Sequence, residues 1–129
     1  MGADPMHAVI AFIQPFMLEQ VVDALRLLPS FPGMSVSEVR GFGRQCAHAP
    51  HRGERTEVEP FEAKVRIEIY CRDTELRAIV ETIREAAHTG NPGDGKILVA
   101  PLDRVVRIRT GEDGAEALLC GHPSDDARG

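Results

Sequence analysis

Apolar spacing in this chain changes period several times, and the order of those changes restricts the fold more than any other feature. Residues 7–13 form a partly β-branched apolar run, the pattern of a buried strand. Residues 17–28 place Leu18, Val21, Val22, Leu25 and Leu28 at helical spacing, with Glu19, Asp23 and Arg26 on the other face. Pro29 to Gly33 break that helix, and residues 34–42 alternate as a second strand. Residues 64–72 set Val65, Ile67 and Ile69 on one face and Lys64, Arg66 and Glu68 on the other. Asp73 and Thr74 offer an N-cap to a second helix striped by Leu76, Ile79, Val80, Ile83 and Ala87. Residues 97–108 read as a strand interrupted at Pro101, and residues 110–119 as a short, weak helix. The order β-α-β-β-α-β predicts an α+β, ferredoxin-like sandwich: an antiparallel sheet with two helices on one face. Apolar residues on the other face, with nothing in the chain to cover them, predict a homo-oligomer.

Bulk properties agree with one domain. The chain has 129 residues, 43% hydrophobic and 27% charged, and with no Trp, one Tyr and five Phe its core must be aliphatic. A net charge of −5 argues against a basic face for nucleic acid. No apolar run is long enough to span a bilayer and no signal peptide precedes His7, so a cytoplasmic protein is expected. Cys46, Cys71 and Cys120 are odd in number and widely spaced, unlike a disulfide framework or a zinc knuckle. The domain is expected over residues 7–119, with a leader at 1–6 and a flexible tail at 120–129.

Two connections stand out. Residues 43–63 lose all periodicity and hold Pro50, Pro60, Gly43, Gly53, His48 and His51 among many charges; a loop that long in a small domain is commonly functional. Residues 89–96, Thr-Gly-Asn-Pro-Gly-Asp-Gly-Lys, join the second helix to the last strand. They have the outline of a P-loop, but Ile97 stands where a Ser or Thr should hold Mg²⁺, and the order is helix–loop–strand. The chemistry does not need the motif: glycines let backbone N–H groups approach an anion, and Lys96 can neutralise a phosphate. A glycine turn between helix and strand is the plainer alternative.

Five separated stretches resemble the PII signal-transduction (nitrogen regulatory P-II) family. They are Gln14-Pro15-Phe16-Met17-Leu18; residues 33–39 followed by Gly41-Phe42-Gly43-Arg44-Gln45; residues 64–69; Thr89-Gly90 with Gly93-Asp94-Gly95-Lys96-Ile97; and residues 107–112. The resemblance implies a homotrimer that binds ATP or ADP between subunits and signals to a target protein through a long T-loop, here 43–63. It implies that Gly93, Asp94, Gly95 and Lys96, the B-loop, hold phosphates through backbone N–H groups and one ammonium. Arg107 and Arg109, in the C-loop region 107–119, would reach in from a neighbouring subunit, and Ser35, Gly43 and Arg44 would line the adenine and phosphate side. Gln45 would help ligate Mg²⁺ with ATP, and Gln45 with Lys64 would bind 2-oxoglutarate. Regulation of nitrogen and carbon metabolism follows, with a membrane transporter among the possible classes of target.

The chain departs from the family at the loop tip. The family's usual Tyr-Arg-Gly-Ala-Glu-Tyr is replaced by His51-Arg52-Gly53-Glu54-Arg55-Thr56, and Tyr70 is the one tyrosine in the chain. Modification of a T-loop tyrosine is therefore excluded. Cys46, His48 and His51 are residue types suited to Zn²⁺ or copper, although their spacing is not a zinc signature. An alternative reading is thus a regulator of metal or bicarbonate transport that senses adenylates without 2-oxoglutarate. No nucleophile with a nearby base and no paired carboxylate motif points to an enzyme.

Overall fold

A computed structural model describes residues 4–42 and 61–118. Four strands and two α-helices alternate with 3-10 turns: β1 (Met6–Ile13), a 3-10 turn (Pro15–Met17), α1 (Leu18–Arg26), β2 (Ser35–Gly41), β3 (Glu62–Arg72), α2 (Asp73–Ala87), β4 (Gly95–Leu102) and a second 3-10 turn (Gly114–Leu118). The strands form one sheet in the order β2-β3-β1-β4, all pairs antiparallel. This is the expected ferredoxin-like arrangement, with the two central strands contributed by opposite halves of the chain.

Alternation sorts the residues. Val9, Ala11 and Ile13 of β1 and Val65, Ile67, Ile69 and Cys71 of β3 point into the helix layer and are buried. Val21 and Leu25 of α1 and Ile79, Ile83 and Ala87 of α2 close on them from above. Among the described residues no polar or charged side chain is buried, so dispersion and the hydrophobic effect carry this core. The opposite face is mixed. Ile10, Phe12, Leu98 and Leu102 keep partial exposure there, and β3 adds Lys64, Arg66, Glu68 and Tyr70.

Several boundaries differ from expectation for physical reasons. β1 starts at Met6, which is buried, and the Pro5 carbonyl accepts from the Asp73 N–H at 2.9 Å, so residues read as a leader are tied into the fold. The start of α2 differs as well. Arg72, not Asp73, is the N-cap, and its N–H donates to the Glu75 carboxylate at 2.9 Å. β3 begins at Glu62, two residues before the expected start, because it keeps pairing with β2 as far as Gly41↔Glu62.

The strand expected over 97–108 ends at Leu102, opposite Met6, where β1 runs out of residues to pair. Pro101 does not interrupt it: β4 is an edge strand, where a missing N–H can face away from the ladder. Residues 107–111 instead form a turn. The Arg107 N–H donates to the Glu112 carbonyl at 2.8 Å, and the Gly111 N–H to the Arg107 carbonyl at 2.8 Å. The weak helix near the C-terminus is a 3-10 turn, which packs against β3.

Candidate functional site

The register places three sequence-distant residues in one row. Ile13 pairs with Val65 on one side and Gly95 on the other. Just past that row, the Gln14 side-chain amide lies beside Gly93 and the Lys64 ammonium reaches the Gly93 carbonyl. The glycine loop 89–96 therefore lands beside the start of β3. Lys64 Nζ donates to the Gly93 carbonyl at 2.6 Å, and the Glu62 carboxylate lies 3.8 Å from the same ammonium. Gly93 has φ +96°, and a Cβ on it would sit 2.9 Å from Gln14 Nε2. Gln14 and Lys64 thus form the floor on which the loop rests.

The loop is also braced from inside. Asp94 accepts from the Thr89 N–H at 2.8 Å, from the Gly90 N–H at 2.9 Å and from the Thr89 hydroxyl. These bonds, the hydroxyl's first, hold the Asp94 carboxyl below the usual carboxylate range, with a smaller contribution from nearby His88. Gly95 makes the tightest approach. A Cβ there would fall 1.7 Å from the Phe12 carbonyl oxygen, and its φ is +105°, so only glycine can start β4 at this point.

A cleft of about 450 Å³ opens beside the loop, between the C-terminal turns of α2 and the start of β4. Ile13, Val80, Ile83 and Ala87 give it an apolar wall, and Arg84 and Lys96 give it positive charge. The hairpin of β2 and β3 projects past the same end of the sheet. One step beyond Gly41↔Glu62, Phe42 and Phe61 meet with ring centroids 5.3 Å apart, and Arg40 lies 5.7 Å over the Phe61 ring.

Of the residues singled out in the sequence, Lys64, Gly93, Asp94, Gly95 and Lys96 converge here. Ser35 does not. It begins β2, on the opposite edge from β4, and pairs in the row of Glu68, Ile10 and Leu98. That places it about 14 Å across the sheet and about 10 Å along it from Gly95. Arg107 is held by its own chain: Nε lies 3.0 Å from Glu112, and a terminal nitrogen donates to the Ala117 carbonyl at 3.3 Å. Arg109 lies in the same turn. Gly43, Arg44, Gln45, Cys46, His48 and His51 lie outside the described residues, as do Thr56, Cys120 and His122. Among the described residues no group of three His, Cys, Asp or Glu is placed to hold a metal. Gln14 and the bracing role of Thr89 and Asp94 were not read from the residues. The available signal was the strand register, which local sequence does not carry.

Known proteins decide the family. The profile described as nitrogen regulatory protein P-II matches residues 6–112. This chain is a P-II protein. It is 45% identical over 114 residues to a nitrogen regulatory protein P-II of Azospirillum brasilense, covering 88% of this chain and 100% of that one. It is 46% identical over 114 residues to the nitrogen regulatory protein GlnK of Escherichia coli (strain K12), with the same coverage. A solved structure of Arabidopsis thaliana PII bound to citrate superposes with a TM-score of 0.71 at 38% identity, covering 88% of this chain and 92% of that one. P-II proteins are regulatory signalling proteins of nitrogen metabolism, not enzymes. Among the described residues no helix is long and apolar enough to cross a membrane.

Proposed function

We propose that this protein is a cytoplasmic homotrimer that binds ATP or ADP between subunits and passes the occupancy of that site to a target protein through the T-loop. The observation that carries this reading is the convergence of the glycine loop, Lys64 and the root of the β2–β3 hairpin at one end of the sheet. An anion bound on that loop acts within a few residues of the segment that would contact the target. The ligand stabilises one arrangement of the hairpin through differential contacts, and the target reads the population.

In this reading the backbone of Gly93, Asp94, Gly95 and Lys96 and the Lys96 ammonium take the phosphates. Arg107 and Arg109 of a neighbouring subunit add charge to them. Ser35, Gly43 and Arg44 line the adenine side. The separation of Ser35 from the loop within one chain supports a ligand that bridges copies. Gln45 would complete Mg²⁺ coordination on ATP, and Gln45 with Lys64 would bind 2-oxoglutarate. The Arabidopsis relative's citrate, a polycarboxylate, supports a carboxylate input of this kind.

The loop tip favours one second reading. His51-Arg52-Gly53-Glu54-Arg55-Thr56 offers no tyrosine, and Tyr70 lies within β3. Targets that read a modified tyrosine are thereby removed, and control of a metal or bicarbonate transporter without 2-oxoglutarate is the alternative. Calorimetric titration with ATP and Mg²⁺, with and without 2-oxoglutarate, separates the two. Binding of 2-oxoglutarate only in the presence of Mg-ATP is expected. Nucleotide binding with no effect of 2-oxoglutarate favours the second reading, and binding of neither ligand removes both.

A further inference from the structure

Asp94 lies in the middle of the anion loop, yet its carboxylate is turned into the loop's own backbone. It accepts from the Thr89 N–H at 2.8 Å, the Gly90 N–H at 2.9 Å and the Thr89 hydroxyl. The Thr89 hydroxyl oxygen in turn accepts from the Asn91 N–H at 3.1 Å. His88 Nδ1 lies 3.8 Å from the same carboxylate oxygen that takes the two backbone donors. One side chain therefore organises the first half of the loop from its far end. Lys64 fixes the second half from outside through the Gly93 carbonyl.

We propose that Thr89 and Asp94 are positioning residues of the phosphate loop. They hold residues 89–96 in ligand-ready shape, and they commit the N–H groups of Thr89 and Gly90, so that an anion is read by residues 93–96. This deepens the nucleotide reading and rests on it for the identity of the ligand.

Two physical arguments support the assignment. The loop contains Gly90, Gly93 and Gly95, all at positive φ, and a segment so rich in glycine loses much conformational entropy when it is ordered. Ordering it before binding moves that cost out of the binding step. Charge is the second argument. A bare carboxylate in an anion loop would repel phosphate. Here its charge is spread over three donors within the loop. A charged acceptor is favoured: Asn could keep its carbonyl oxygen on the two backbone donors, but it would lose the charge that strengthens those bonds and would turn an NH₂ toward the Thr89 hydroxyl, which now donates.

The test uses the full-length protein and the variants Thr89→Val, Thr89→Ser and Asp94→Asn. Each is titrated with Mg-ATP by calorimetry, and the amide exchange and melting temperature of the ligand-free proteins are measured. We expect Thr89→Val and Asp94→Asn to weaken ATP binding by about 10- to 100-fold, as loss of a charge-assisted hydrogen bond does. The Thr89 and Gly90 amides should exchange at least about tenfold faster. Thr89→Ser, which keeps the hydroxyl, should restore both. A purely structural role would lower the melting temperature in step with affinity, whereas a loop-positioning role leaves it within a few degrees. ATP affinity within about twofold of wild type in both Thr89→Val and Asp94→Asn overturns the proposal, as does unchanged amide exchange. Should the wild-type protein bind no ATP, the nucleotide reading fails on its own. The exchange data then decide the brace: faster exchange rescued by Ser supports it, and unchanged exchange overturns it.

Discussion

Lys64 Nζ donates to the Gly93 carbonyl at 2.6 Å, bridging 29 residues of chain and joining the start of β3 to the phosphate loop. Its side chain is 15% exposed, so the bond is shielded from water on most sides. Lys64→Met keeps the aliphatic stem and removes the donor. A hydrogen bond to a charged group contributes about 1.5–3 kcal/mol, and we expect urea unfolding to report a loss in that range. Amide exchange should accelerate over residues 91–95 and stay unchanged at the centre of the β1–β4 ladder.

Gly95 and Gly111 both have positive φ, at +105° and +79°, but only Gly95 faces an obstacle. Gly95→Ala should cost about 2–5 kcal/mol, combining backbone strain with a clash on the Phe12 carbonyl. Gly111→Ala meets nothing within 4 Å and should cost only the strain, about 1–2 kcal/mol. Thermal unfolding of the two variants side by side checks the difference.

Tyr70 is the one tyrosine, so its ultraviolet titration reports a single site. Its hydroxyl donates to Glu68 at 2.7 Å, and that bond holds the phenol above its ordinary value of 10.0. We expect a midpoint above 10 in the native protein and a lower one in Glu68→Gln. Above pH 10 the folded chain keeps a proton that the unfolded chain sheds, so this group lowers stability as pH rises there. The same bond, followed by Arg66, holds the Glu68 carboxyl below its usual range.

Cys71 is fully buried between β3 and the helices, and burial, with Glu75 and Asp73 nearby, pushes its thiol up to about 11. A thiol so placed is unreactive. Iodoacetamide labelling at pH 8 followed by peptide mapping should leave Cys71 unmodified in the native protein and modify it in urea. Its proton is retained on folding between pH 9 and 11, so stability from this group also declines as pH rises through that window.

Element type and order were legible because period 2 and period 3.6 alternate cleanly. Ile79 and Ile83 announced the buried face of α2 without help from the rest of the chain. The strand end at Leu102 was not legible, since it depends on where β1 stops, and Val105 and Val106 look as strand-like as Val99. The N-cap at Arg72 was obscured because arginine has no capping oxygen; the Arg72 N–H instead donates to the Glu75 carboxylate. Lys96 and Lys64 were legible as charges, and it was the family resemblance rather than local pattern that put them at one site. Gln14 stood out only as part of a family-like stretch; its place beside Gly93 comes from the folded sheet, a property of several strands at once.

The register that brings Gln14 and Lys64 to Gly93 bears on which length changes the chain can absorb. Residues inserted between Phe42 and Phe61 leave the pairing of β2, β3 and β1 as it is, so the hairpin's reach can be altered while its anchorage stays constant. One residue inserted between Lys64 and Val65 would turn Lys64 toward the helices and detach it from Gly93, because side chains in a strand alternate faces. Diversification of the target-facing segment and preservation of the ligand-facing floor are therefore separated by a boundary only a few residues wide.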